Sequence, residues 1–155
     1  MTNHWLMKSE PNAYHWDQLL KDKTTHWDGV RNYQARNTMR DLMKIGDPVL
    51  FYHSNCKPPH IAGIAKVCKE GYPDHTSWDP DSHYFDEKSS PENPRWVMVD
   101  IEAIKSMKTI VDLPQMKADP GLEGMPLLAR GQRLSVQPVS PEHFQRVCQL
   151  GSLEE

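Results

Sequence analysis

Gly46-Asp47-Pro48-Val49-Leu50-Phe51-Tyr52-His53-Ser54 is the stretch that decides the architecture. Val49 to His53 is the strongest strand signal in the chain, a run of β-branched, apolar and aromatic side chains. Asn55-Cys56-Lys57-Pro58-Pro59 then turns the chain, and His60 to Lys69 returns as a second strand. The short connection makes the pair antiparallel. Gly63 inside the return strand marks a bulge or a close backbone approach. Towards the C-terminus, Arg95 to Lys105 is a third strand, with Val97, Val99 and Ile101 alternating onto one buried face. Val111 to Met116 reads as a short helix, and Leu127 to Arg130 and Ser135 to Val139 as weaker elements. Pro141 to Leu150 reads as a closing helix with Ser140 as N-cap, Pro141 at N1, and Phe144, Val147 and Cys148 turned inward.

Towards the N-terminus, Ala35 to Met43 predicts a helix with an apolar stripe of Met39, Leu42 and Met43, stopped at Gly46. His4 to Lys8 reads as the first strand, Tyr14 to Leu20 as a short amphipathic helix, and Lys21 to His26 as a polar loop. Gly71 to Pro94 is long, polar and without period; compact domains seldom keep an idle loop of that length. It is expected to be partly ordered surface pinned by Tyr72, Trp78, Tyr84 and Phe85, the alternative being a binding loop. The sum is one α+β domain over residues 1–155, a mixed or antiparallel sheet of about five or six strands with several short helices.

The composition narrows the function. A formal net charge of -3 over 155 residues argues against a grip on long nucleic acid by phosphate neutralisation alone. It does not exclude recognition of one base in a pocket. No apolar run approaches the ~20 residues needed to cross a membrane. Met1 to Lys8 has no basic region followed by an apolar stretch, so a cytoplasmic location is expected, or a nuclear one in a eukaryote. Cys56, Cys68 and Cys148 are widely spaced and read as reduced thiols; the scattered histidines form no ligand set, so no metal is expected.

Trp27-Asp28-Gly29-Val30-Arg31-Asn32-Tyr33-Gln34-Ala35-Arg36-Asn37 packs planar and hydrogen-bonding side chains into a short stretch before a helix. Trp27 offers a stacking face, Arg31 and Asn32 offer donors, and Asp28-Gly29 signals a turn. A plugged turn would use the same tryptophan for the core; Trp5, Trp16 and Trp96, on regular elements, are assigned that role. Lys8-Ser9-Glu10 and His53-Ser54 each close a strand, and strand ends on one rim of a sheet make a natural pocket. A hydrolase is a weak reading. There is no Gly-x-Ser-x-Gly elbow, no Ser-x-x-Lys and no phosphate-cradling glycine loop, and neighbours such as His53 and Ser54 point to opposite faces of a strand. No cofactor is expected. Binding fits better: aromatic walls from Trp27, Tyr33, Tyr52 and Tyr72, edge readers from Asn32, Ser9, Glu10 and Ser54, and phosphate anchors from Lys8, Arg31, Arg130 and Arg133.

Together the segments from Trp5 to Pro11, Trp27 to Asn37, Gly46 to Ser54, Gly63 to Val67 with Tyr72-Pro73-Asp74, and Leu134-Ser135-Val136-Gln137-Pro138-Val139 resemble the EVE domain. The resemblance runs from Trp5 to about Phe144. It implies a PUA-like fold, a curved pseudo-barrel sheet flanked by short helices. It also implies a reader of modified bases in DNA, 5-methylcytosine and its oxidised forms among them, or in RNA. Carried over by position, the pocket residues are Lys8, Ser9, Glu10, Trp27, Arg31, Asn32, Tyr33, His53, Ser54, Tyr72 and Ser135, with Arg130 as a further basic candidate. The expected function is therefore a non-catalytic nucleic-acid-binding module that accepts a single modified base. Two alternatives differ in class: an enzyme acting on a nucleotide-like small molecule through Ser54 or Glu10, and a protein-interaction module docking through Tyr72 to Phe85.

Overall fold

The computed structural model describes residues 3–129 and 134–153. Strand β1 (His4–Ser9) is followed by helix α1 (Trp16–Asp22), strand β2 (Thr24–His26) and helix α2 (Tyr33–Asp41). Strands β3 (Pro48–His53), β4 (His60–Pro73) and β5 (Val97–Asp112) follow, with a 3-10 turn at His75–Trp78 between the last two. Helix α3 (Leu113–Lys117), two further 3-10 turns, strand β6 (Val136–Val139) and helix α4 (Pro141–Leu150) complete the chain.

The strands form one open mixed sheet in the order β2-β5-β4-β3-β1-β6. Strands β1 and β3 are parallel, with Trp5 opposite Val49 and Ser9 opposite His53. The other pairings are antiparallel. The central strands are apolar at successive positions because both faces of the sheet are covered. Trp5, Met7, Val49 and Phe51 point to one face, under α1 and α2, where they join Trp16, Leu19, Ala35 and Met39. Leu6, Leu50 and Tyr52 point to the other, against Met116, Phe144 and Val147. Ser140 caps α4 by accepting from the His143 N–H, and Phe144, Val147 and Cys148 are buried as their spacing requires.

Two local expectations change. Residues 24–26 pair with β5 as an edge strand, although they carry no apolar alternation; pairing to Asp100, Ile101 and Glu102 supplies what the side chains do not. Strand β5 runs on to Asp112, past Lys105, so that the expected helix at Val111 begins only at Leu113. Among the described residues no helix is long and apolar enough to cross a membrane.

Gly63 is a close approach as well as an irregularity. The register of β4 against β5 shifts between Ile61 and Gly63. A Cβ built on Gly63 would stand 2.2 Å from Cζ2 of the Trp16 ring. That ring is buried and donates from Nε1 to Ser106 Oγ at 2.9 Å, so it cannot retreat freely. Gly63→Ala is expected to cost about 1–3 kcal/mol by overpacking, read as a fall in Tm of roughly 2–12 °C in a thermal melt. An unchanged melt would show that the ring yields.

Candidate functional site

The parallel pairing of β1 with β3 brings the ends of both strands to one rim. The antiparallel strand β6 starts at the same rim, where the Lys8 N–H donates to the Ser135 carbonyl at 2.8 Å. Here a cavity of about 620 Å³ opens, within the usual size of small-molecule sites. Lys8, Ser9 and Glu10 form one wall, Trp27 to Arg31 another, and Tyr14, Tyr84 and Ser135 close the rest. Of the residues nominated from the sequence, Lys8, Ser9, Glu10, Trp27, Arg31 and Ser135 therefore meet in one place.

Trp27 is part core and part cavity wall. It is 8% exposed and stands edge-on to Phe51 at 5.6 Å, so most of the ring is core. Its remaining surface lines the cavity. The Trp27 N–H donates to the Val99 carbonyl at 2.7 Å, which fixes the start of the wall. Gly29, with φ +76°, lets Tyr84 lie against the backbone: a Cβ there would stand 2.6 Å from the tyrosine ring. Tyr14 is anchored by its hydroxyl, which donates to Asp22 Oδ2 at 2.7 Å. Burial pushes that hydroxyl up to about 12, with a lowering contact from Thr25 set against the bond to Asp22 and its charge. Among the described residues none of the three rings of Tyr14, Trp27 and Tyr84 stacks on another, and Arg31 Cζ stands 5.6 Å from the centre of the Tyr84 ring.

Arg31 acts as a clamp. Its Nη1 donates to Asp74 Oδ2 at 3.1 Å, and its Nε and Nη2 donate to the Tyr84 carbonyl at 3.0 and 2.6 Å. Asp74 also accepts from the N–H groups of Gly29 and Thr76. Burial alone would raise the Asp74 carboxyl, but the bonds from Thr76, Gly29 and Arg31 hold it below the usual carboxylate range. The long loop is thus tied to the Trp27–Arg31 wall, and it supplies Tyr84 to the cavity.

Lys8 is half-buried, and desolvation lowers its ammonium from the ordinary value. Among the described residues it has no ion-pair partner. Ser9 Oγ donates to the Tyr14 carbonyl at 2.9 Å. Glu10 leans outward and accepts from Asn55 Nδ2 at 3.2 Å.

The other nominated residues stand elsewhere. His53 is wholly buried behind the rim: Nε2 accepts from the Trp16 N–H at 3.2 Å, while Nδ1 lies 3.4 Å from the Ser9 carbonyl. Desolvation holds its imidazole down at about 4. Ser54 donates its N–H to the Ser9 carbonyl and does not line the cavity. Asn32 is spent as the N-cap of α2, accepting from the Ala35 N–H at 3.0 Å. Tyr33 is turned away, stacked on Trp96 at 4.7 Å with Arg36 over its ring. Tyr72 donates to Asp100 on β5 and carries Lys69 Nζ 3.9 Å above its ring. Arg130 lies outside the described residues. Tyr14, Asp28 and Tyr84 line the cavity without having been nominated. Their signals were weak: Asp28 read as half of a turn, and Tyr84 as an anchor for its own loop.

The chain is similar to known proteins over nearly its whole length. The family model of the EVE domain matches residues 3–150. Thymocyte nuclear protein 1 of Homo sapiens is 44% identical, in an alignment that takes in 100% of this chain and 75% of that protein. A solved protein from Pseudomonas syringae superposes with a TM-score of 0.91 at 45% identity, covering 96% of this chain and 99% of that one. The human THYN1 protein, solved in complex with 5-methylcytosine-containing DNA, superposes with a TM-score of 0.91 at 42% identity, covering 99% and 100%. With the family model matched along nearly its whole length, the chain belongs to the EVE domain family.

Proposed function

We propose that this protein is a non-catalytic nucleic-acid-binding module that accepts one modified base, of the 5-methylcytosine type, in the cavity between Tyr14, Trp27 and Tyr84. The observation that carries the reading is the cavity itself, lined by three aromatic side chains and by a half-buried lysine that has no ion-pair partner among the described residues. Rings supply stacking worth ~1–3 kcal/mol per base, and the cation suits the phosphate beside it. The human relative solved with 5-methylcytosine-containing DNA supports the ligand class. His53 favours binding over turnover, because both ring nitrogens face backbone partners and neither is left for a general base.

The test is a titration with labelled oligonucleotides that carry one 5-methylcytosine or one plain cytosine. The modified strand is expected to bind more tightly. Tyr84→Ala should weaken binding by about 1–3 kcal/mol through lost stacking. Lys8→Gln should weaken both strands alike and reduce the salt slope by about one. Equal, unmeasurable binding to every strand would remove the proposal.

A further inference from the structure

A pocket that accepts 5-methylcytosine meets a second base of nearly the same shape. Thymine carries the same C5-methyl group, so stacking and apolar contact treat the two alike. They differ on the polar edge: cytosine presents the N4 amino group as a donor where thymine presents O4 as an acceptor. A fixed acceptor on the cavity wall facing that position would tell the two apart.

The wall holds three carboxylates, and two are committed. Asp22 is occupied by the Tyr14 hydroxyl on Oδ2 and by Gln18 Nε2 on Oδ1. Glu10 is exposed and turned to Asn55. Asp28 is different. It is partly buried in the cavity wall, and among the described residues its one ion-pair neighbour is the exposed His26, whose Nε2 stands 3.5 Å from Oδ2. Among the described residues no side chain hydrogen-bonds to the carboxylate, which accepts from its own backbone N–H. The backbone on both sides is fixed, by Trp27 N–H to the Val99 carbonyl and by Gly29 N–H to Asp74 Oδ2 at 3.0 Å. A carboxylate on a backbone anchored on both sides, and only partly solvated, is set up to receive donors.

We propose that Asp28 is the specificity-determining residue that tells cytosine-type bases from thymine, accepting the N4 amino group at Oδ1 and repelling O4. This rests on the base-reading function proposed above. The experiment separates the two ideas. Wild-type protein is titrated with one duplex carrying 5-methylcytosine, cytosine or thymine opposite an abasic site, so that unpairing costs cancel. The same series is run on Asp28→Asn, whose amide can turn either an acceptor or a donor to the edge.

The wild type is expected to prefer 5-methylcytosine to thymine by about tenfold or more, in line with a good base-edge contact. In Asp28→Asn that ratio should fall towards one, with 5-methylcytosine bound more weakly and thymine more tightly. The ratio of 5-methylcytosine to cytosine, which reports the methyl group, should stay. A wild type that binds 5-methylcytosine and thymine equally overturns the role of Asp28, whatever the variant does. So does a folded Asp28→Asn that keeps the wild-type ratio. Failure of the wild type to bind any of the three removes the base-reading function itself.

Discussion

Asp74→Ala is expected to cost about 3–5 kcal/mol of folding stability and most of the affinity for an oligonucleotide. The carboxylate is wholly buried, and four donors converge on it: the Gly29 and Thr76 N–H groups, Arg31 Nη1 and the Thr76 hydroxyl. Alanine leaves the Arg31 guanidinium, whose side chain is 24% exposed, without its counter-charge. Removing one partner from a buried pair is costly because the other stays desolvated. The same change frees Arg31, which holds the Tyr84 carbonyl, from its anchor on the loop. Urea unfolding and oligonucleotide titration on the same preparation check both effects. A loss below about 1 kcal/mol, the usual worth of a surface pair, would show that the clamp does not hold the wall.

Stability is also expected to fall by roughly 3 kcal/mol as pH is lowered from 6.5 to 4, through His53 alone. Desolvation holds its folded value at about 4 against an ordinary 6.5, while the Ser9 carbonyl pulls weakly the other way and His15 and His60 add to the lowering. Between those values the unfolded chain binds the proton and the folded chain does not. Unfolding is therefore favoured as acid is added, and the contribution is complete once pH drops below the folded value. Asp74 titrates in a different window: its carboxyl is depressed, so its contribution persists above the ordinary carboxylate value and is lost only at lower pH. Comparing urea midpoints of wild type and His53→Gln at pH 7, 5.5 and 4.5 isolates the histidine. Parallel curves for the two proteins would refute the assignment.

How much of this was legible beforehand depends on which force shapes each element. Strands β1, β3 and β4 and helices α2 and α4 carry their own apolar pattern and caps, and each stands within a few residues of where the sequence puts it. Strand β2 does not: Thr24, Thr25 and His26 are held by β5, a long-range pairing with no local trace. The site divides in the same way. Strand ends and a Trp in a Gly-containing loop are visible in the chain, so Lys8, Ser9, Trp27 and Arg31 could be named. Which of two neighbours faces the cavity is set by packing. Tyr33 is claimed by Trp96 and Asn32 by a helix cap, whereas Asp28, four residues before Asn32, lines the cavity.

The pairing of β1 with β6 has a consequence for how the protein acquires its activity. Met7 lies opposite Val136, and Lys8 bonds to Ser135, so the cavity is closed by segments from nearly opposite ends of the chain. Contacts of such sequence separation form late and slowly, because the loop entropy between them is lost before they are rewarded. During synthesis the first strand must wait for the last, its hydrogen-bonding edge open until β6 emerges. Ligand competence should thus arise in the final step of folding, and a refolding experiment monitored by oligonucleotide binding should lag one monitored by the burial of Trp16 on the other side of β3.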